Sequence, residues 1–248
     1  MNSGQPKKYL LYAIGEVALV VLGILIALQI NNWNEARKAV QEEKEFLKRL
    51  KTDLEYDIEI FNGDSDYLQI VYEEGLRALK FMDSGGGCGS SCVTILVAFY
   101  NATQWIGLTP RKTTFNEISL TGYPSNQRIK DFVNDYHNSL DTYGQFNPPS
   151  EYRQHARSMI PPEIQKALAE ACMTFLGANV EGVLQDCMPA INEKIAQDIV
   201  EELVKDPDTR TTLYFWLGTI TILKEGLMPT LEEARKVIEA IDEELNLL

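Results

Sequence analysis

An uninterrupted apolar segment near the amino end constrains this chain more than any other feature. Residues 10–30 read LLYAIGEVALVVLGILIALQI, which is 21 residues with one charged side chain, Glu16. As an α-helix the segment would extend about 31 Å, which matches the hydrocarbon core of a bilayer. We therefore predict a single transmembrane helix over residues 9–31, preceded by a short cytoplasmic tail, residues 1–8.

Aromatic side chains flank this segment, as is typical of helices that end at a membrane interface. They are Tyr9 and Tyr12 at one end and Trp33 at the other. A cleaved signal peptide is the alternative, because Lys7 and Lys8 precede the apolar run. However, the run exceeds the usual length of about 7–15 residues, and no A-x-A-like cleavage site follows it. The sequence thus favours an uncleaved signal anchor.

The composition predicts a folded acidic domain after the anchor. Hydrophobic residues make up 45% of the chain, charged residues 24%, and the formal net charge is −13. This acidity argues against a nucleic-acid partner, which requires a basic face, and against a domain lying on anionic lipid. The bilayer around the helix is the partner that the sequence predicts directly.

Two sequence signals favour opposite orientations of the anchor. Basic residues are more numerous after the helix than before it, and the positive-inside rule then favours a cytoplasmic domain. Four cysteines in the domain favour an oxidising compartment instead. We predict a single-pass protein of the bacterial inner (cytoplasmic) membrane, with its amino terminus in the cytoplasm and its domain in the periplasm.

The four cysteines allow three pairings, and their spacing favours two local disulfides. Cys88 and Cys92 lie in a glycine-rich loop, whereas Cys172 and Cys187 flank a short segment with further glycines. A four-cysteine zinc site is the alternative, but the spacings of three and fourteen intervening residues fit its usual pattern poorly. Four unpaired thiols in a cytoplasmic domain also remain open.

The rest of the chain predicts an all-α protein. Residues 31–61 contain neither Gly nor Pro and carry apolar residues at steps of three and four, which indicates a helical stalk over 32–61 that ends at Asn62-Gly63-Asp64. A helical-bundle domain is predicted over 62–248, with a sub-boundary near 144–161. Its predicted helices include 162–177, one ending at Gly226, and a last one from Pro229 whose apolar seam packs within the chain.

Two segments of the chain have a recognisable pattern. The first combines KYLLYAIGE at residues 8–16 with GILIALQINNWNE at residues 23–35. The second runs from Thr114 through Glu117 to Gly122, and continues from Ile129 to Tyr136. Both segments resemble a family of unknown function, whose members are small single-pass membrane proteins common in Bacteroidota-type bacteria. The resemblance implies an anchor and a helical domain, and it implies no chemistry. The four cysteines depart from the family's pattern.

One face of the membrane helix carries a distinctive set of residues. At 100° per residue, Glu16, Gly23, Ala27 and Asn34 lie within about 20° of one line. Gly23 and Ala27 form a small-x-x-x-small step that lets two helices approach closely. We interpret this line as a contact face for self-association or for another membrane protein. The alternative is a shallow Glu16 that reaches the headgroups.

No catalytic or metal-binding signature occurs in the sequence, and we predict neither enzymatic activity nor a metal site or cofactor. His137 is expected on a helix surface, and the charged residues Glu151, Arg153, His155 and Arg157 are expected in a solvated loop. An aromatic set forms either core or a groove for a partner or small ligand. Its members are Trp105, Phe115, Tyr123, Phe132 and Tyr136.

The function that the sequence favours is a membrane-anchored helical scaffold or interaction module, or an accessory subunit of a membrane complex. The alternative is an extracytoplasmic ligand-sensing domain that works through a partner. A sensor would place a pocket near Trp105 or Tyr123, and an enzyme would place perturbed carboxylates in a cleft.

Overall fold

One long helix organises the molecule. The computed structural model describes residues 5–85, 87–107, 110–145, 149–175 and 181–248. Helix α1 spans Gln5–Ser84, 80 residues, which corresponds to about 120 Å at the usual rise. All side chains of residues 12–42 are exposed, and burial begins at Glu43. The first half of α1 therefore stands clear of the domain, and the second half belongs to its core.

Helix α1 does not end at Phe61, contrary to the prediction for the stalk. Asn62 and Gly63 are exposed within the continuous helix, and a glycine in a helix costs only about 1 kcal/mol. Phe61 and Asp64 on either side are buried, so packing holds both flanks in one helix. Beyond the predicted membrane segment, residues 32–42 alone stand free of the bundle, so the exposed stalk is shorter than the predicted stalk over 32–61.

Seven further helices and one short hairpin surround the second half of α1 in the described residues. They are α2 (Cys92–Asn101), α3 (Thr113–Thr121), α4 (Gln127–Gln145), α5 (Glu151–Ser158), α6 (Pro162–Cys172), β1 (Met173–Phe175), β2 (Glu181–Val183), α7 (Glu193–Lys205) and α8 (Pro207–Leu247). The all-α prediction is confirmed. A single hydrophobic cluster contains residues from both sides of the predicted sub-boundary, such as Tyr136 and Leu168.

Helices α1 and α4 both run antiparallel to α8. Three side-chain pairs join α1 to α8 in this order: Lys51–Asp242, Gln69–Lys224 and Asp83–Arg210. Two pairs join the start of α4 to the end of α8: Asn126–Glu244 and Arg128–Glu243. The predicted apolar seam of α8 packs within the chain: Leu231, Ala234 and Ile241 are buried, and Ile238, Leu245 and Leu248 are partly buried against the core.

Helix α8 is continuous, although the sequence predicted a break between Gly226 and Pro229. Proline cannot donate a backbone hydrogen bond, and its ring usually bends a helix. Here Leu227 and Leu231 are buried on both sides of Pro229, so the packing of one apolar face carries the helix through.

The hairpin replaces the end of a predicted helix. The sequence predicted a helix through Phe175 to Gly177, but α6 ends at Cys172 and residues 173–175 pair antiparallel with residues 181–183. The amide of Leu184 donates to the carbonyl of Cys172 at 2.8 Å. The Cys172–Cys187 disulfide fixes this turn of the chain, since it holds the two Cα atoms 5.1 Å apart. Gly177 lies outside the described residues.

Candidate functional site

The membrane-helix face lies on the fully exposed half of α1. Glu16, Gly23, Ala27 and Asn34 are all exposed, and a Cβ added at Gly23 would meet nothing within 4 Å. The face is therefore free for contact with lipid or with another helix. Its role as a contact face remains a prediction.

Helix α1 is also long and apolar enough to cross a membrane, the one such helix among the described residues. Tyr12 and Trp33 are exposed 21 positions apart, which is about 32 Å along the helix and close to the hydrocarbon thickness. The guanidinium of Arg37 lies 5.8 Å from the Trp33 ring, where a cation favours the ring face. The side chain of Tyr9 lies outside the described residues.

Both predicted disulfides are confirmed, Cys88–Cys92 and Cys172–Cys187. In the first disulfide, Cys88 lies in the loop before α2 and Cys92 is the first residue of α2. There the carboxylate of Glu193 accepts hydrogen bonds from the amides of Cys92 at 2.9 Å and Val93 at 3.2 Å. A carboxylate at a helix N-terminus accepts hydrogen bonds from otherwise unpaired amides and is stabilised by the helix dipole. Because Glu193 begins α7, this contact joins α7 to α2.

The predicted aromatic groove is divided among different packing sites. Tyr136 is fully buried and its hydroxyl donates to Asp57 at 2.8 Å. Phe115 lies against His137, with ring centroids 3.7 Å apart, and Tyr123 lies against Phe46. The remaining two, Trp105 and Phe132, are partly buried against the core.

A polar network around Asp57 links α1, α3 and α4. Asp57 also accepts a hydrogen bond from the amide of Arg111 at 2.8 Å, and burial raises its pKa above the ordinary range. Asp53, one turn earlier, accepts from the hydroxyl of Thr114 at 2.6 Å. These contacts hold the loop before α3 against α1. They also explain why the carboxylate of Asp57 can lie inside the protein and that of Asp53 can be partly buried, which the sequence did not predict.

Sequence spacing offers the missed signal. Residues 43, 50, 57, 64, 71 and 78 recur every seven positions on α1, and all six are buried. Three of them are acidic: Glu43, Asp57 and Asp64. An acidic residue in register with Leu50, Val71 and Ala78 on a seven-residue repeat is a candidate for burial, since one helix face repeats at that interval.

The two histidines differ from the sequence-based expectation. His137 is buried rather than on the surface, and burial lowers its pKa to about 4. His155 lies on helix α5, not in a loop, and its Nε2 is 3.2 Å from the carboxylate of Asp206. Two arginines on α5 are also held by hydrogen bonds to Thr103. Arg153 donates to the backbone carbonyl of Thr103 at 2.9 Å, and Arg157 donates to the hydroxyl of Thr103 at 2.9 Å.

The described residues do not assemble a metal centre: no group of three or more His, Cys, Asp or Glu side chains is placed to hold an ion among them. They do form an open cavity of about 510 Å³ between α4 and α8. Such a volume lies in the range of small-molecule sites. None of the five predicted groove aromatics lines it.

The lining of this α4–α8 groove combines apolar and acidic groups. Its apolar members are Tyr143, Ile222, Leu223 and Pro229, and its charged members in the described residues are Asp135 and Glu233. Oε2 of Glu233 is buried, and no donor among the described residues reaches it. Gly226 lies beside the ring of Tyr143, and an added Cβ would be 3.6 Å from Cδ2 of that ring.

Asp64 lies close enough to Tyr143 for its charge to raise the pKa of that phenol, which burial already raises. Asp64 is 2% exposed, and its Oδ1 atom has no hydrogen-bond partner in the described part of the chain. Burial raises the pKa of Asp64 to about 7. The carboxyl of Asp64, which changes its charge near pH 7, therefore lies close to a residue that lines the groove.

The comparisons with known proteins concern mainly helix α1. The model of a family of unknown function, DUF6090, matches residues 16–74, which lie entirely within α1. The match includes part of the first segment on which the resemblance was based, and it does not reach residues 114–136. No curated protein and no solved structure is detectably similar to this chain. The chain is thus similar to a family without a known activity.

Proposed function

We propose that this chain is a membrane-anchored helical interaction module that works without catalysis. The observation that carries the proposal is the continuity of α1, which passes from an exposed apolar segment into the core of the domain without a break. A rigid helix places the domain at a fixed height and rotation relative to the bilayer. About 17 Å of exposed helix, residues 32–42, would separate the membrane from the bundle.

We further propose that the domain lies in the periplasm. The two disulfides support this location, because disulfides persist in oxidising compartments and are rare in the cytosol. Treating intact spheroplasts with an impermeant reductant and then an impermeant maleimide should label the domain's cysteines. Labelling that requires prior lysis of the spheroplasts would place the domain in the cytoplasm.

The anchor face supplies the test of the interaction role. Gly23 and Ala27 permit a close helix contact, so G23L combined with A27L should reduce the cross-linked fraction of the chain in native membranes, whether the partner is a second copy or another membrane protein. A18L is the matched control, because Ala18 lies about 160° away from Glu16 on the same helix. Equal cross-linking in all three proteins would remove this contact from the proposal.

The sensing alternative receives less support from the geometry. A sensor was expected to have a pocket near Trp105 or Tyr123, whereas neither residue lines the cavity between α4 and α8. That cavity is a shallow groove whose Ile222 is 69% exposed, which fits an extended partner better than an enclosed small ligand.

A further inference from the structure

The α4–α8 groove continues into an exposed apolar stripe on α8. Phe215, Gly218, Ile222, Gly226 and Pro229 recur at steps of three and four and are all exposed. Phe215 is 73% exposed and Ile222 is 69% exposed. The stripe extends about 21 Å along the helix, or close to four turns. Large apolar side chains exposed in one line mark an interaction surface rather than a solvated face.

Charge distinguishes one end of this surface from the other. The charged residues that line the groove among the described residues, Asp135 and Glu233, are both acidic. A buried carboxylate oxygen of Glu233 has no donor within the described part of the chain. Since an unpaired buried acceptor is costly, a cationic donor from outside would satisfy it with a charge-assisted hydrogen bond.

We propose that the α4–α8 groove and the α8 stripe bind a basic amphipathic helix of a partner protein. Its apolar face would cover Phe215 and Ile222, and a Lys or Arg about three turns from its apolar centre would reach Glu233 and Asp135. A second copy of this chain is the weaker candidate, because the charged residues that line its own groove are both acidic and supply no cation for Glu233. The inference rests on the proposed interaction role and specifies the partner's chemistry.

The test uses the full chain in native membranes, with a photo-crosslinking phenylalanine analogue in place of Ile222. The expected product is an adduct whose cross-linked segment, sequenced by mass spectrometry, is amphipathic and carries Lys or Arg. The same analogue at Leu120, an exposed residue of α3, is the positional control. Adducts with a second copy, with lipid or with a small molecule, or the lack of an Ile222 adduct, would each overturn the proposal.

Removal of the two charges tests the electrostatic part. D135N combined with E233Q should lower the yield of the Ile222 adduct about tenfold, the equivalent of one lost charge-assisted hydrogen bond. E232Q combined with E239Q is the matched control, because both residues are exposed on α8 and neither lines the groove. An equal loss in both double variants would contradict specific recognition. Loss of the groove adduct with intact cross-linking through Gly23 and Ala27 would separate this inference from the proposed function.

Discussion

Replacing Asp64 by asparagine should stabilise the domain, and more so at alkaline pH. Asp64 is 2% exposed, with one oxygen unpaired among the described residues. Burial raises its pKa from 3.8 to about 7, so the folded protein holds a proton that the unfolded chain releases near pH 4. Because the folded state binds more protons between these values, its stability falls as the pH rises from about 4 to 7.

The magnitude follows from this difference. At 1.36 kcal/mol per pKa unit, the carboxyl costs about 2 kcal/mol at pH 5 and about 4 kcal/mol at pH 8. An asparagine has nearly the same shape and does not ionise. The stability of D64N relative to the unchanged protein should therefore increase by about 2 to 3 kcal/mol between pH 5 and pH 8.

The assay is urea unfolding of the full chain in detergent, followed by tryptophan fluorescence. Trp216 is 1% exposed, so its emission reports the packing of the domain. His137, whose pKa burial lowers to about 4, destabilises both proteins equally as the pH falls, and its effect cancels in the difference. D66N is the control on the same helix, because Asp66 is exposed. A difference between D64N and the unchanged protein that stays constant from pH 5 to pH 8 would refute the reasoning.

Two further stability predictions follow from the geometry of single sites. G63A should stabilise the domain by about 1 kcal/mol, since an added Cβ meets nothing within 4 Å, whereas G75A should destabilise it because the Cβ would lie 2.5 Å from Leu217 Cδ2. Urea unfolding of both variants would contradict this if their shifts had the same sign. Replacing Cys172 and Cys187 by serine should lower the free energy of unfolding by about 3 kcal/mol, as expected for a 15-residue ring, and an unchanged urea midpoint would count against it.

The course of the two long helices depended on tertiary packing. Gly63 in α1 and Pro229 in α8 are local helix breakers, and the sequence predicted an end at each. Both helices continue, because buried residues on either side of each position pack against the same core. Local propensities of about 1 to 3 kcal/mol are smaller than the burial of several large side chains.

The apolar segment, the all-α class and the two local disulfide pairs could be predicted from the chain alone, since they depend on periodicity, length and short spacing. The seven-residue repeat of α1 marks Asp57 and Asp64 as candidates for burial, but only the structure showed what packs over them, and it alone placed His137 in the core. The α4–α8 groove likewise arises from residues about ninety positions apart, which only the folded bundle brings together.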